Sequence, residues 1–393
     1  MPTNAVDRLE NFLRSDLGAT GTVPLHEPCF RGNELSYVTE CIETGWVSTA
    51  GAFVGRFETE LAARCGTQHA VATVNGTAAL HAALLALGVG DGDAVICPAL
   101  TFVATANAIS YCGATPIFAD SQRETLGLCP DLLAEFLDTG CVASNGKLIH
   151  AQTKLRIAAI MPVHLFGHPA DMDGINALAA RYDIPVVEDA TESLGSEFRE
   201  RPTGSLGTAG VLSFNGNKII TSGGGGAIVT NDDALAAEVR HLTSTARKDR
   251  GWQHDHDRIG FNYRMPNLNA ALALGQLEQI DEFTEAKRRL AGMYRDIFGG
   301  QAGVEIFEEQ SWAKSNYWLN AILLDSHEEK EAFLDDANRR DIQVRPCWRL
   351  MSDLPMYRDS PVTCELENAR DTVNRLVNLP SSAILLMKSG EAA

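Results

Sequence analysis

Ser213-Phe-Asn-Gly-Asn-Lys-Ile-Ile-Thr-Ser-Gly-Gly-Gly-Gly226 sets one lysine, Lys218, among small polar residues and closes on four glycines. On its N-terminal side Gly210 to Phe214 reads as a short buried strand, and on its C-terminal side Ala227 to Thr230 reads as another. Turn-forming residues separate the two, so Lys218 is expected where two buried strands open into a loop. An amine in such a place is partly desolvated and can act as a nucleophile toward an aldehyde. Taken alone, the segment favours a surface lysine beside a flexible glycine loop. The rest of the chain decides between the two.

Upstream, apolar strand-like runs alternate with helical patterns from Ala70 onward: Ala70 to Val74, then Leu80, Leu84 and Leu87; Ala94 to Cys97, then Phe102 to Tyr111; Pro116 to Ala119, then Leu132 to Leu137. The alternation continues through Ile157 to Val163, Ile175 to Tyr182 and Pro185 to Val187. Continuous apolar strands alternating with helices imply a large α/β unit built on a mostly parallel sheet covered on both faces. Two amphipathic helices, Arg31 to Thr44 and one through Phe53, Phe57 and Leu61, precede it, and the polar stretch Val142 to Thr153 is expected to be loop.

Downstream, Leu235, Val239 and Leu242 mark a helix, and Ser244 to Arg264 is a long polar loop of the kind that usually carries function. One long helix is expected from Ala271 toward Phe298, followed by a smaller α+β unit with helices near Glu328 to Arg339 and Cys364 to Val377. The expected division is 1–264 for the large unit with its N-terminal helices, and 265–393 for the linking helix and the small unit.

Composition narrows the partners. The 393 residues carry a net charge of -18, which argues against nucleic acid and anionic membranes, because a general basic surface is missing. Nine cysteines without a Cys-x-x-Cys pair suggest neither a disulfide framework nor a zinc site, and His254 with His256 has no third ligand at metal spacing. Met1 to Leu17 mixes Arg8, Glu10, Arg14 and Asp16 with apolar residues, unlike a signal peptide, so a cytoplasmic protein without metal is expected.

In an open parallel sheet, ligands bind beyond the carboxyl ends of the strands, which directs attention to the residues just after each apolar run. Asn75-Gly76-Thr77 opens a helix there, so its backbone N–H groups and the Thr77 hydroxyl can hold a phosphate at the positive end of the helix dipole; a plain helix cap is the other reading. Thr101-Phe102 opens another helix and can present an aromatic face, although a core phenylalanine fits the same pattern. Val187-Glu188-Asp189 ends a strand on two acids, one of which can hold a protonated nitrogen while the other caps or pairs elsewhere. His164 also follows a strand, where a lone histidine is more often structural.

Assembled in order, Asn75-Gly-Thr-Ala-Ala-Leu-His81, Pro98-Ala-Leu-Thr-Phe-Val-Ala-Thr-Ala-Asn107, Pro169-Ala-Asp-Met-Asp173, Glu188-Asp-Ala190, Ser213 to Lys218 and Gly260-Phe-Asn-Tyr-Arg264 make the chain resemble a known group. It is similar, over nearly its whole length, to the pyridoxal-phosphate-dependent nucleotide-sugar aminotransferases of the DegT/DnrJ/EryC1/StrS family, within the aspartate-aminotransferase fold class (fold type I).

The resemblance implies pyridoxal 5'-phosphate as cofactor, Lys218 as the lysine that carries it, Asp189 as the carboxylate on its pyridine nitrogen and Phe102 as the aromatic stacked on its ring. It places Gly76, Thr77 and Ser213 at the phosphate and assigns Asn262 to the phosphate of the neighbouring subunit, hence a homodimer with shared active sites. Glu192 departs from the commoner glutamine or histidine near the phenolic oxygen, where a carboxylate would repel it unless protonated or turned away.

Ser315 to Ala321, Arg345-Pro-Cys-Trp348, Leu354-Pro-Met-Tyr357 and Asn378-Leu-Pro-Ser-Ser382 resemble the bacillosamine and legionaminic-acid branch. That branch implies L-glutamate as donor and C4 of a nucleotide-linked, UDP in the first instance, 4-keto-6-deoxy-2-acetamido sugar as acceptor. A sugar dehydratase of the same fold, in which histidine typically replaces the lysine, and a C3 sugar aminotransferase are the alternatives; Lys218 argues against the former.

Overall fold

The computed structural model describes residues 2–250 and 252–387. Its centre is a sheet in two hydrogen-bonded parts. One part orders the strands His69–Thr73, Gly226–Thr230, Ala209–Ser213 and Val187–Asp189; the other orders Thr115–Ala119, Asp93–Pro98, Arg156–Ile160, Lys147–His150 and Cys141–Ser144. Parallel bridges from Ile160 to Val186 and from Val163 to Asp189 join the parts into one surface. The pairs Asp93–Pro98 with Thr115–Ala119, Asp93–Pro98 with Arg156–Ile160, and Val187–Asp189 with Ala209–Ser213 are all parallel. Gly226–Thr230 runs antiparallel between its two neighbours. The fold is therefore the expected α/β class, and the parallel strands deliver their carboxyl ends to one edge of the sheet.

The glycine run makes the reversal possible. At Gly226 an added Cβ would lie 2.5 Å from the carbonyl carbon of Asn75 and 2.6 Å from the nitrogen of Gly76, so only glycine lets this strand pass beneath the start of the Gly76–Ala86 helix. That helix is almost wholly apolar and small, with Ala78, Ala79, Leu80, Ala82, Ala83 and Leu84 buried, which brings its axis close to the sheet. Val71, Val95, Val187, Val211 and Ile228 from the strands share its core.

Beyond the sheet, the four strands Val304–Ile306, Asn320–Leu324, Leu376–Leu379 and Arg345–Pro346 form a separate antiparallel layer. The first helix, Pro2–Asn11, which a division by chain order counts with the large unit, buries Ala5, Val6 and Leu9 in the core formed by Tyr294, Phe298, Ile322 and Phe333.

Four local readings change. Val142 to Thr153 is no loop as far as His150: Cys141–Ser144 and Lys147–His150 form a hairpin at the sheet edge, whose largely exposed first strand gave it a polar look. The polar stretch Ser244 to Arg264, whose Gly251 lies outside the described residues, carries the hairpin Arg247–Arg250 with Gln253–His256. The single long helix is two, Asn267–Leu277 and Ile280–Phe298, because the chain turns at Glu278 and Gln279 without a glycine or proline to announce it. The last helix ends at Arg375, and Leu376–Leu379 continues as a strand. Among the described residues no helix is long and apolar enough to cross a membrane.

Candidate active site

A cavity of about 320 Å³ opens at the carboxyl ends of the parallel strands, lined among others by Gly76, Thr77, Phe102, Asp189, Glu192, Ser213 and Lys218. Seven of the eight residues singled out in the sequence thus meet in one place, and Asn262 does not.

Each arrives by a local rule. Asn75 has extended φ and ψ, and its side-chain oxygen accepts the N–H of Ala78 at 2.7 Å, which starts the helix at Gly76. The first N–H groups of a helix have no partner within it, and Gly76 and Thr77, at this helix start, line the cavity. A side chain at Gly76 would press on Ser213, with Cβ to Cβ at 3.0 Å, so the residue type leaves a cradle between helix start and strand end. Phe102 stands at the N-terminal cap of the Val103–Tyr111 helix in extended geometry and is 49 % exposed, which is not how a core phenylalanine sits.

Strand alternation separates the two acids. Glu188 turns away from the cavity and accepts N–H groups from Gly204, Leu206 and Gly207 at 2.6 to 2.8 Å. His164 completes that buried cluster: its Nδ1 accepts from Ala170 at 3.1 Å, so Nε2 carries the proton and donates to Glu188 at 2.9 Å. Both residues are structural. Asp189 faces the cavity, and Thr105 donates to its Oδ2 at 2.7 Å while the Thr191 hydroxyl donates to Oδ1 at 2.7 Å. Thr101 meets Thr105 at 2.8 Å and fixes that hydroxyl in turn.

Lys218 follows a turn closed by its own N–H donating to Asn215 at 3.0 Å. Its Nζ lies 3.4 Å from Oε1 of Glu192 and 3.9 Å from the centre of the Trp318 ring. The indole Nε1 donates to the carbonyl of Asn217 at 2.6 Å, and the backbone of Trp318 is held by the buried Lys287, which donates to the carbonyls of Trp318 and Ser381. Burial pushes the Lys287 ammonium well below the usual lysine range, and those carbonyls are what it gains there. Phe102, Trp348 and Phe166 extend the aromatic wall, with ring centres 5.7 and 5.3 Å apart in sequence around Trp348.

Sequence reasoning missed Thr105, Thr191 and the placement of Trp318 and Trp348 in this cavity. Thr101 and Thr105 stand one helical turn apart at a helix opening, a spacing that signals two hydroxyls on one face. The tryptophans come from the distant C-terminal segment, and no local pattern ties them to Lys218.

Asn262 is exposed and sits on a bridge to Ser244, between Phe261 and Tyr263. Those two rings pack against His81 at 4.9 and 6.0 Å, which fixes the segment beside the Gly76–Ala86 helix and turns Asn262 outward.

A model of the DegT/DnrJ/EryC1/StrS aminotransferase family matches residues 28–389. The chain belongs to this family. It is 38 % identical to a GDP-perosamine synthase of Escherichia coli over 91 % of this chain and 93 % of that one. It is 39 % identical to a GDP-perosamine synthase of Caulobacter vibrioides (91 % and 92 %), and 36 % to the putative pyridoxal phosphate-dependent aminotransferase EpsN of Bacillus subtilis (91 % and 90 %). Among solved structures, a family aminotransferase from Brucella abortus superposes with a TM-score of 0.81 at 27 % identity, covering 89 % of this chain and 90 % of that one. The aminotransferase TlmJ of Streptoalloteichus hindustanus gives 0.83 at 26 %, covering 92 % and 94 %. The protein is therefore a pyridoxal-phosphate-dependent aminotransferase, and its fold is that of the family's solved members.

The cavity's own chemistry fits that cofactor. It combines a carboxylate aimed inward by two hydroxyls, a single lysine, an aromatic wall and a helix start with a glycine cradle beside a serine.

Proposed function

We propose that the protein moves an amino group from L-glutamate to C4 of a nucleotide-linked 4-keto-6-deoxy sugar bearing a 2-acetamido group. The observation that carries the reading is the convergence of Lys218, Asp189 and the Gly76–Thr77 helix start on one cavity. Pyridoxal 5'-phosphate, when bound, supplies an electron-accepting ring that stores the amino group between donor and acceptor. Gly76, Thr77 and Ser213 hold its phosphate, Phe102 packs against its ring, and Asp189 keeps a proton on its pyridine nitrogen. Lys218 would hold the cofactor through Nζ and, with that amine free, would accept and return a proton at Nζ.

The acetamido sugar rests on the stretches around Trp318 and Trp348, whereas the perosamine synthases among the relatives act, by their names, on GDP-linked sugar. Purified protein supplied with glutamate is expected to convert the UDP-linked 4-keto-2-acetamido sugar to its amine, with 2-oxoglutarate formed in equal amount. Turnover confined to a GDP-linked 4-keto sugar would replace the acetamido part of the reading. A 3-keto sugar as the only acceptor would replace C4.

The same reading makes the enzyme a homodimer in which Asn262 reaches the cofactor phosphate of the partner subunit, consistent with its outward position. A purified heterodimer of Lys218→Ala with Asn262→Ala then holds one doubly damaged site and one intact site. At limiting cofactor it is expected to recover about half of wild-type activity, the one-in-two share a shared-site dimer predicts. Confirmed subunit exchange without recovery would return Asn262 to a role within its own chain.

A further inference from the structure

Glu192 is held on both carboxylate oxygens, one of them toward Lys218. Its side chain is 2 % exposed and that of Lys218 11 %. Oε2 accepts the N–H of Phe166 at 2.8 Å, from a turn in which Phe166 itself is left-handed at φ 55. The neighbouring carbonyl of Gly167 accepts from the hydroxyls of Ser196 and Ser315 at 2.7 and 3.0 Å, and Asn316 donates to the Glu192 carbonyl at 3.0 Å. That leaves Oε1 at 3.4 Å from the Lys218 nitrogen, which also lies over the Trp318 ring at 3.9 Å. The sequence left open whether this carboxylate is protonated or turned away; its geometry gives it one charged partner, Lys218.

We propose that Glu192 is the proton partner of Lys218: its carboxylate holds a proton on the lysine nitrogen, and takes that proton when the free amine must be neutral. In that transfer an Nζ–H bond breaks with its electron pair staying on nitrogen, an Oε1–H bond forms, and an ion pair becomes a neutral pair. Burial favours the neutral acid and raises the carboxyl above the usual glutamate range, while the Lys218 charge and the Phe166 N–H pull it down and Asp189 pushes it up. Opposed influences of this kind let the proton's position follow the charge on the nitrogen. Other titratable groups facing the pair stay neutral: burial raises the Cys347 thiol to about 12, and burial, then Lys287 and Lys218, hold His26 well below the usual histidine range.

The proposal rests on Lys218 as the cofactor-bearing residue, and borohydride reduction with peptide mapping of the full-length holoenzyme tests that separately. The colour of the bound cofactor is then recorded against pH. A carboxylate beside the proton holds it to higher pH, so Glu192→Gln is expected to change colour at least about one pH unit lower, a tenfold loss of proton affinity. Glu192→Asp should fall between the two, and formate, but not formamide, should return Glu192→Ala toward the wild-type curve. If Glu192→Gln does not fold, the aspartate variant and the formate response decide. Curves coinciding within about 0.3 unit, a shift toward higher pH, or no response to formate overturns the pairing while leaving the mapped lysine intact.

Discussion

Lys218→Ala is expected to lower kcat by a factor of about a thousand or more, roughly 4 kcal/mol of transition-state stabilisation, while the protein keeps its fold. The side chain makes its contacts at the cavity, to Glu192 and the face of Trp318, and contributes nothing to the apolar cores. What its loss exposes is Glu192, a carboxylate without its cation; burial already favours its neutral form, so the acid takes up a proton instead of straining the fold. The thermal transition should stay within a few degrees of wild type, and the variant should still bind pyridoxal 5'-phosphate, which dialysis then removes. In the wild type, borohydride should fix the cofactor on Lys218. Cofactor recovered on another lysine, or a variant retaining more than about a hundredth of wild-type turnover, would remove Lys218 from its role.

That residue was legible because the chemistry around it is local. The end of a strand, a turn, one amine and a glycine run occupy fourteen consecutive positions, although the contact that demands glycine at Gly226, the Asn75–Gly76 backbone, comes from a distant part of the chain. The strand-end acids were legible as a pair but not individually, since the sequence does not show which face of the sheet carries the Gly204–Gly207 loop that occupies Glu188. Period-2 alternation does the sorting once one partner is known. Glu192 was beyond reach for a different reason: its direction is set by the Phe166 N–H and by Asn316, 26 and 124 positions away in the chain. The helix break at Glu278 and Gln279 escaped because both halves keep their apolar positions and no breaker residue marks the turn. Asn262 is a third kind of case. Its side chain is exposed and lies outside the cavity of its own chain, so the partner proposed for it is not written in any one stretch of this sequence.

Asp189→Asn should separate holding the cofactor from using it. The substitution preserves shape, and the hydroxyls of Thr105 and Thr191, both within 2.7 Å of the carboxylate, can rotate to accept from the new amide or donate to its oxygen. The phosphate cradle at Gly76, Thr77 and Ser213 and the aromatic wall are untouched, so the dissociation constant for pyridoxal 5'-phosphate should rise by no more than about tenfold, some 1.4 kcal/mol. Turnover should fall much further. A neutral amide lacks the negative charge with which Asp189, in the proposed role, would hold a proton on the ring nitrogen, and a charge-assisted contact of that kind is worth about 3 to 4 kcal/mol, or 10² to 10³ in kcat. Glu188 cannot take over, since it lies on the far face of the sheet with His164 and three backbone N–H groups already on its oxygens. The measurement is kcat alongside cofactor affinity read from absorbance in the same preparation. Equal losses in both would make Asp189 a binding group only, and unchanged kcat would mean that no strand-end acid holds the ring proton.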